Sequence, residues 1–135
     1  MNTHRKRAQA VVELAIAMPV LLWFALGTLD FGRVFYTYVG LTNAAREGAR
    51  RATLLAPACT ASVLSTVQST VQNEQSTLSI PTADIVLDCT YTNRRTVNIS
   101  DYLFQPLTPF IGDALGDVNG KIHLTTSATL PVVNQ

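Results

Sequence analysis

A run of mostly apolar residues, at positions 10–29, dominates the hydropathy pattern near the start of the chain. As a helix it would be about 30 Å long, which is the thickness of the hydrocarbon core of a bilayer. Arg5, Lys6 and Arg7 precede it, and a single acid, Glu13, lies inside it. Because a carboxylate in hydrocarbon is costly and usually serves a function, the pattern predicts a membrane-anchored protein with a functional acid in its anchor.

Three kinds of segment combine a basic start with an apolar run. A cleaved secretory signal usually has an apolar region of about 7–15 residues, which is shorter than this one. A plain membrane anchor fits the length but does not explain Glu13. A signal cut before the apolar run accounts for the basic residues, the length and the acid, and we favour it. Since basic residues stay on the cytoplasmic side, we expect the N-terminus inside and the C-terminus outside.

Helical periodicity continues beyond the apolar run. Apolar residues recur every three or four positions through residues 31–52, and no proline interrupts this pattern. The sequence therefore predicts one spine helix from Gln9 to Leu55, about 70 Å long, with half of it beyond the membrane. Within it, Pro19 is expected to cause a kink or a local loosening.

One row of the projecting half of this helix consists of small residues at four-residue steps. Gly40, Ala44, Gly48 and Ala52 form the row, and Gly32 extends it after one interruption. Such a row lets another backbone approach closely, as small residues do in packed membrane helices. Two interpretations stay open: the row packs against another subunit, or it lies under the sheet of its own domain.

The rest of the chain predicts a small domain of helix and strands. Residues 61–78 carry a valine and leucine stripe that indicates a second, shorter amphipathic helix. Apolar alternation then predicts an antiparallel sheet within residues 84–132. Its parts are a strand from Ile85 to Tyr91, a turn at Asn93–Arg95, a strand around Val97–Ile99, a loop from Pro106 to Gly120 and a strand from Lys121 to Val132. The predicted fold class is α+β, with the sheet laid on the spine helix.

Charge and cysteine content add two expectations. The net charge of the 135 residues is +1, and three of the ten basic residues lie in the basic start, so the remainder is mildly acidic and no nucleic-acid partner is predicted. The two cysteines, in an exported domain, favour a Cys59–Cys89 disulfide. Such a bond closes a loop of about thirty residues and would contribute about 3–4 kcal/mol. Two buried free thiols are the alternative.

No constellation of catalytic or metal-binding residues stands out. His4 lies in the basic start, and His123, alone on a predicted strand, is more often structural. The cysteine spacing is not that of a zinc or redox motif, and no phosphate-binding or HExxH motif occurs. Asp113 and Asp117 flank a glycine-rich loop that suggests calcium only weakly, because it lacks the alternating ligands of an EF-hand. We therefore predict no enzyme, no metal and no cofactor.

The chain resembles the TadE-like proteins, which are pilin-like subunits of bacterial tight-adherence (Tad/Flp, type IVc) pilus systems. The resemblance covers residues 5–53 and rests on the segments QAVVE, DFGR and TNAAREGAR at the expected separations. The segments PLTPFIGDALG and IHLTTSATLPV are also similar to the C-terminal part of that family. Residues 56–95 remain as the variable portion.

This resemblance implies a pilin-like fold and a prepilin-type leader, residues 1–8, removed by a prepilin peptidase. The cut would fall between Ala8 and Gln9, although the residue before the cut is usually glycine. The mature chain would then have a transmembrane half at 9–29 and an extracytoplasmic domain at 30–135. The family acts as minor pilins or pseudopilins in pilus assembly or secretion, so the implied partners are other pilin-like subunits, the inner-membrane assembly platform and the lipid bilayer.

A role in assembly follows for Glu13. After cleavage it would be the fifth residue, one helical turn from the new amine of Gln9. In a bundle of such helices an unpaired carboxylate would cost several kcal/mol, so we expect it to pair with the Gln9 amine of a neighbouring subunit. The alternative is an acid that only favours the helix dipole.

Two other functions are alternatives to a pilin-like subunit. One is a membrane-tethered binding or adhesion module that keeps the anchor and presents residues 56–95 to a surface or ligand. The other is an envelope enzyme, which the lack of a catalytic constellation disfavours. Association with sheared filaments distinguishes a subunit from a tethered module.

Overall fold

The computed structural model describes residues 3–55 and 59–132, with backbone alone for residues 3–7 and 110. The elements in order are α1 (Thr3–Leu55), α2 (Ala61–Glu74), a single 3-10 turn (Thr82–Asp84), β1 (Ile85–Asp88), β2 (Arg94–Phe104), α3 (Pro109–Leu115) and β3 (Ile122–Pro131). The predicted α+β class is confirmed, with a long helix, a second helix and a three-stranded antiparallel sheet.

The spine helix is longer than the pattern indicated. It begins at Thr3 instead of Gln9 and continues through Pro19 to Leu55, which makes it about 80 Å long. Residues 3–8 of the expected leader are therefore helical, while Met1 and Asn2 lie outside the described residues. Its N-terminal part contains a segment long and apolar enough to cross a membrane, and none of that segment is buried by the rest of the chain.

The sheet covers one side of the C-terminal half of α1. Its strands lie in the order β1-β2-β3, with β2 in the centre and both pairs antiparallel. The predicted alternation in β3 is confirmed, since Leu124, Thr126 and Ala128 are buried and His123 and Thr125 are exposed. The core joins this sheet to both long helices; its buried members include Leu41, Ala45, Ala49, Val67, Val71, Ile85, Val97, Ile99 and Leu124.

The second helix ends earlier than residue 78. It starts at Ala61, after the N-cap Thr60, and ends at Glu74. The chain then folds back, so that the Gln72 side chain donates to the Ile80 carbonyl at 2.9 Å and Ile80 enters the core. Burying Ile80 favours the reversal over another helical turn, because apolar burial is worth more than the weak helix propensity of serine and threonine.

The first strand is also shorter than expected, and the turn after it ends at Asn93, two residues earlier than predicted. β1 ends at Asp88, whose carboxylate accepts the Thr90 N–H at 2.9 Å in an Asx turn. Cys89 therefore follows the strand instead of lying within it. Arg94 and Arg95, expected in the turn, belong to β2 and pair with Pro131 and Leu130.

The predicted loop from Pro106 to Gly120 contains the short helix α3, which the pattern did not reveal. Pro109 occupies its first turn and Thr108 its N-cap, the arrangement typical of a helix start. The glycines of this segment serve close packing, because a Cβ on Gly112 would lie 2.7 Å from the carbonyl oxygen of Gly120. Gly120 itself has a φ of +69°, which glycine adopts without strain.

A disulfide joins Cys59 to Cys89, with their Cα atoms 6.4 Å apart. The bond connects the start of α2 to the residue that follows β1, and it closes a loop over a sequence separation of 30 residues. On the chain-entropy model a loop of that length contributes about 3–4 kcal/mol. This is a large share of the stability of so small a domain.

The small-residue row on α1 packs within the molecule. Gly40, Ala44, Gly48 and Ala52 are all buried. At Gly48 the row packs against both α2 and the sheet. A Cβ on Gly48 would lie 2.6 Å from Val71 Cγ2 in α2 and 3.5 Å from Val97 Cγ1 in β2. Gly32, by contrast, has nothing within 4 Å. Four residues of the row thus follow the intramolecular interpretation, and Gly32 lies in the open.

This difference gives a matched pair of substitutions. Gly48→Leu should lower the free energy of unfolding of the domain by about 1–3 kcal/mol, because the larger side chain overpacks the contact with α2. Gly32→Leu should leave stability unchanged or slightly higher, since leucine has the better helix propensity. Thermal unfolding of both variants in detergent micelles measures this, and equal stabilities would show that α2 does not pack tightly on Gly48.

Candidate functional site

The residues of the expected processing and assembly site lie on the exposed N-terminal part of α1. Ala8, Gln9 and Glu13 are all solvent-exposed in the isolated chain. Among the side chains that the structure describes, which leave out those of residues 3–7 and 110, no hydrogen bond or ion pair reaches Glu13. The chain thus presents this carboxylate on an exposed helix surface.

An exposed aromatic stripe continues from the apolar segment along the outer half of α1. It consists of Phe24, Phe31, Phe35 and Tyr38. Phe31 is 73% exposed and Phe35 is 62% exposed, although both lie beyond residue 29. Glu13 precedes Phe31 by eighteen residues, which is five helical turns, so the acid and the stripe share one side of the helix. Contiguous exposed apolar surface of this kind is typical of an interaction site.

A second polar site lies where the apolar segment ends. The carboxylate of Asp30 is fully buried. Its Oδ1 accepts the backbone N–H of Leu107 at 2.9 Å, and its Oδ2 accepts the backbone N–H of Thr108 at 2.8 Å. The Thr108 hydroxyl also donates to Oδ2, at 2.5 Å. One acid on α1 thereby holds the segment that leads from β2 into α3.

The hydrogen bonds around Asp30 keep it ionised. Burial alone would raise the pKa of the Asp30 carboxyl, but the bonds from Thr108 and Leu107 and the nearby Arg33 outweigh it, so the pKa lies below its ordinary value. Arg33 Nη1 lies 3.4 Å from Asp30 Oδ1, and its guanidinium stacks over the Phe104 ring at 5.3 Å from the centroid. Arg33 thus joins the same corner to the end of β2.

Sequence reasoning missed this role of Asp30. DFGR and PLTPFIGDALG contributed separately to the family resemblance, and the structure brings Asp30 of the first against Leu107 and Thr108 of the second. A signal was present in the chain, since Asp30 is the first acid after the apolar run. The acid then lies at the expected membrane boundary, where burial without partners would be costly.

His123 belongs to a structural cluster on the outer side of the sheet. Its ring nitrogens contact Asp101, at a β-bulge with a φ of +68°, and Asp117, at 3.2 Å. Backbone N–H groups of Lys121 and Asn119 together with His123 lower the pKa of Asp117 to about 2. The two carboxylates in turn raise the pKa of His123. These contacts join the bulge to the turn before β3.

The geometry of the glycine-rich loop does not support the calcium interpretation. The Asp117 carboxylate is already occupied by the turn and by His123, and the Asp113 side chain points into solvent. In the described part of the chain, no group of three or more His, Cys, Asp or Glu side chains could hold a metal ion.

The segment that contains Glu13, the aromatic stripe and Asp30 is also the one that matches a known family. Residues 8–50 match the family model of TadE-like proteins. The resemblance is confirmed over those residues. No curated protein and no solved structure matches the chain significantly. The matched residues thus include the apolar segment and most of the spine helix, while α2, the sheet and α3 lie outside the match.

Proposed function

We propose that this protein is a pilin-like subunit, a minor pilin or pseudopilin, that supports assembly or priming of a Tad-type pilus or a related secretion filament. The observation that carries the proposal is the exposed aromatic stripe on the TadE-like segment. Lipid accounts for exposed apolar residues up to Leu29, but not for Phe35 and Tyr38, which lie farther along the half of α1 beyond the membrane. Large exposed apolar side chains in that position favour packing against other protein.

The proposal assigns each part of the chain to one side of the membrane or to the bilayer itself. Residues 1–8 are the leader, removed by a prepilin peptidase between Ala8 and Gln9. Residues 9–29 cross the inner membrane, with the basic start in the cytoplasm, and residues 30–135 lie outside. The described surface at Ala8 and Gln9 is exposed, as a peptidase substrate requires.

The shared side of Glu13 and the stripe supports contact between helices. If neighbouring subunits pack along Phe24, Phe31 and Phe35, Glu13 lies in the same contact zone. A carboxylate removed from water there needs a positive partner, and the amine of a neighbour's processed Gln9 supplies one. That pair would set the axial offset between adjacent subunits.

Processing and filament association test this function together. In cells with the pilus system, the membrane-extracted protein should have the mass of a chain beginning at Gln9, and part of it should appear in sheared filaments. Intact-mass spectrometry and immunodetection in the sheared fraction are the measurements. An Ala8→Lys variant, which places a bulky cation at the cut, serves as the control and should keep its leader.

Two results would contradict the proposal. Retention of Met1–Ala8 in cells with an active prepilin peptidase would remove the processing step. The tethered binding module would be favoured by two results together. The processed protein would remain wholly with membranes, and cells that lack the protein would still assemble pili normally.

A further inference from the structure

The segment from Leu107 to Val118, which we call the foot, presents apolar side chains outward. Leu107 is 66% exposed, Leu115 is 74% exposed and Val118 is fully exposed. Single exposed apolar residues are ordinary, but several within one short segment indicate an interaction surface.

The foot lies at the level where the apolar segment of α1 ends. Leu107 and Thr108 are held on the Asp30 carboxylate. Farther along the foot, Ile111 Cδ1 lies 3.9 Å from the position of a Cβ on Gly27. Gly27 precedes Asp30 by three residues, or about 4.5 Å along the helix axis. The first turn of α3 therefore lies beside a residue inside the apolar segment.

An open apolar cleft separates the foot from α1. It has a volume of about 820 Å³. One wall includes Trp23, Phe24, Gly27 and Phe31, and the other includes Pro109 and Ile111. Since Trp23, Phe24 and Gly27 belong to the segment that crosses the membrane, this cleft opens onto the same apolar surface that hydrocarbon covers.

We propose that the foot is a membrane-interface element, with Ile111, Leu115 and Val118 inserted into the outer leaflet and a lipid acyl chain in the cleft. Continuity with the apolar surface of α1 identifies lipid as the occupant. The position of Ile111 beside Gly27 agrees with interfacial helices, whose apolar faces lie about 5–10 Å into the boundary between headgroups and acyl chains. No lysine or arginine occurs between Leu107 and Gly120, and the two charged residues there are Asp113, which is exposed to water, and Asp117, which is bonded to the turn and to His123. Insertion therefore rests on apolar burial and not on anionic headgroups.

Insertion of the foot orients the domain. The spine helix alone would leave the domain free to tilt with α1, whereas Asp30 and the foot add a second point of attachment beside it. The proposal concerns the membrane-resident protein and does not depend on its joining a filament.

Quenching by spin-labelled lipid tests the insertion. The full chain, carrying Leu115→Cys labelled with an environment-sensitive fluorophore, is reconstituted into phosphatidylcholine vesicles in which some acyl chains bear a nitroxide. The native cysteines do not react, because they form the Cys59–Cys89 disulfide. Thr125→Cys is the matched control. Its neighbour Thr126 contacts Thr42, twelve residues beyond Asp30 and thus about 18 Å farther along the axis.

We expect the probe at Leu115 to have a blue-shifted emission, and nitroxide lipid should quench most of its fluorescence. The fluorescence of the probe at Thr125 should not be quenched. Val118→Cys should behave like Leu115→Cys. Adding phosphatidylglycerol should leave the quenching unchanged.

Equal, weak quenching at Leu115 and Thr125 would overturn the proposal, because the foot would then stand in water. The proposal would also be overturned if the blue shift at Leu115 increased with the ratio of protein to lipid and nitroxide lipid caused no quenching. The foot would then be covered by a second copy of the chain. Quenching that requires anionic lipid would overturn the apolar basis of insertion. None of these results bears on filament assembly, so failure here is distinguishable from failure of the proposed function.

Discussion

Replacing Asp30 with asparagine should destabilise the corner where the domain meets the apolar segment of α1 by about 2–4 kcal/mol. The amide cannot accept at both of its ends, so at least one of the donors from Leu107 and Thr108 loses its partner in a buried site, and the charge-assisted bonds are lost. Hydrogen exchange at the Leu107 and Thr108 amides, measured in micelles, should speed up at least tenfold, since about 1.4 kcal/mol corresponds to a factor of ten.

Acid should reduce the difference between the wild type and Asp30→Asn. Because the pKa of Asp30 is lower in the folded state than its ordinary value of 3.8, its contribution is present above that value and is lost as the pH falls through the folded pKa. Asp113→Asn is the matched control, since Asp113 is an exposed acid of the same foot, and its exchange rates should stay those of the wild type. Unchanged exchange in Asp30→Asn would mean that the carboxylate does not hold this segment.

Glu13→Leu should abolish entry into filaments while leaving membrane insertion and cleavage intact. The substitution removes the costly charge from the apolar segment, so insertion becomes easier. It also removes the proposed partner of the Gln9 amine in the neighbouring subunit, which leaves that amine unpaired in the helix contact. The mass of the extracted protein reports cleavage, and the sheared fraction reports assembly.

Glu13→Gln separates the two interpretations of this acid. If Glu13 forms an ion pair between subunits, the neutral isostere should also fail to assemble. If Glu13 only favours the helix dipole, worth less than about 1 kcal/mol when solvated, Glu13→Gln should assemble nearly as well as the wild type. Normal assembly of both Glu13→Leu and Glu13→Gln would refute the pairing and leave the aromatic stripe as the assembly surface.

The pattern of the chain was sufficient for the spine helix and for the orientation of β3. Helical hydrogen bonds join residues four apart, so the apolar run and the periodicity after it report the helix directly. Alternation in β3 likewise reports which side chains are buried. The helical backbone of residues 3–8 lay outside that signal, because their polar composition carries no apolar period.

The ends of shorter elements depended on contacts that the local pattern does not contain. α2 stops at Glu74 because Ile80 returns to the core, and β1 stops at Asp88 where the chain turns toward the disulfide. α3 is too short to be stable from propensity alone and exists beside α1 with its N-cap threonine bonded to Asp30. The ends of α2 and β1 and the formation of α3 therefore depend on contacts with residues outside each element.

The same distinction applies to the candidate site. The sequence by itself determined the apolar segment, the acid inside it at Glu13 and the two cysteines, because each is visible as a residue type at a position along the chain. Only the tertiary structure decided the partner of the small-residue row, the exposure of Phe31 and Phe35, and the role of Asp30. Whether a side chain is covered, and by what, depends on elements up to 84 residues away. The local sequence pattern of either element does not contain the packing between them.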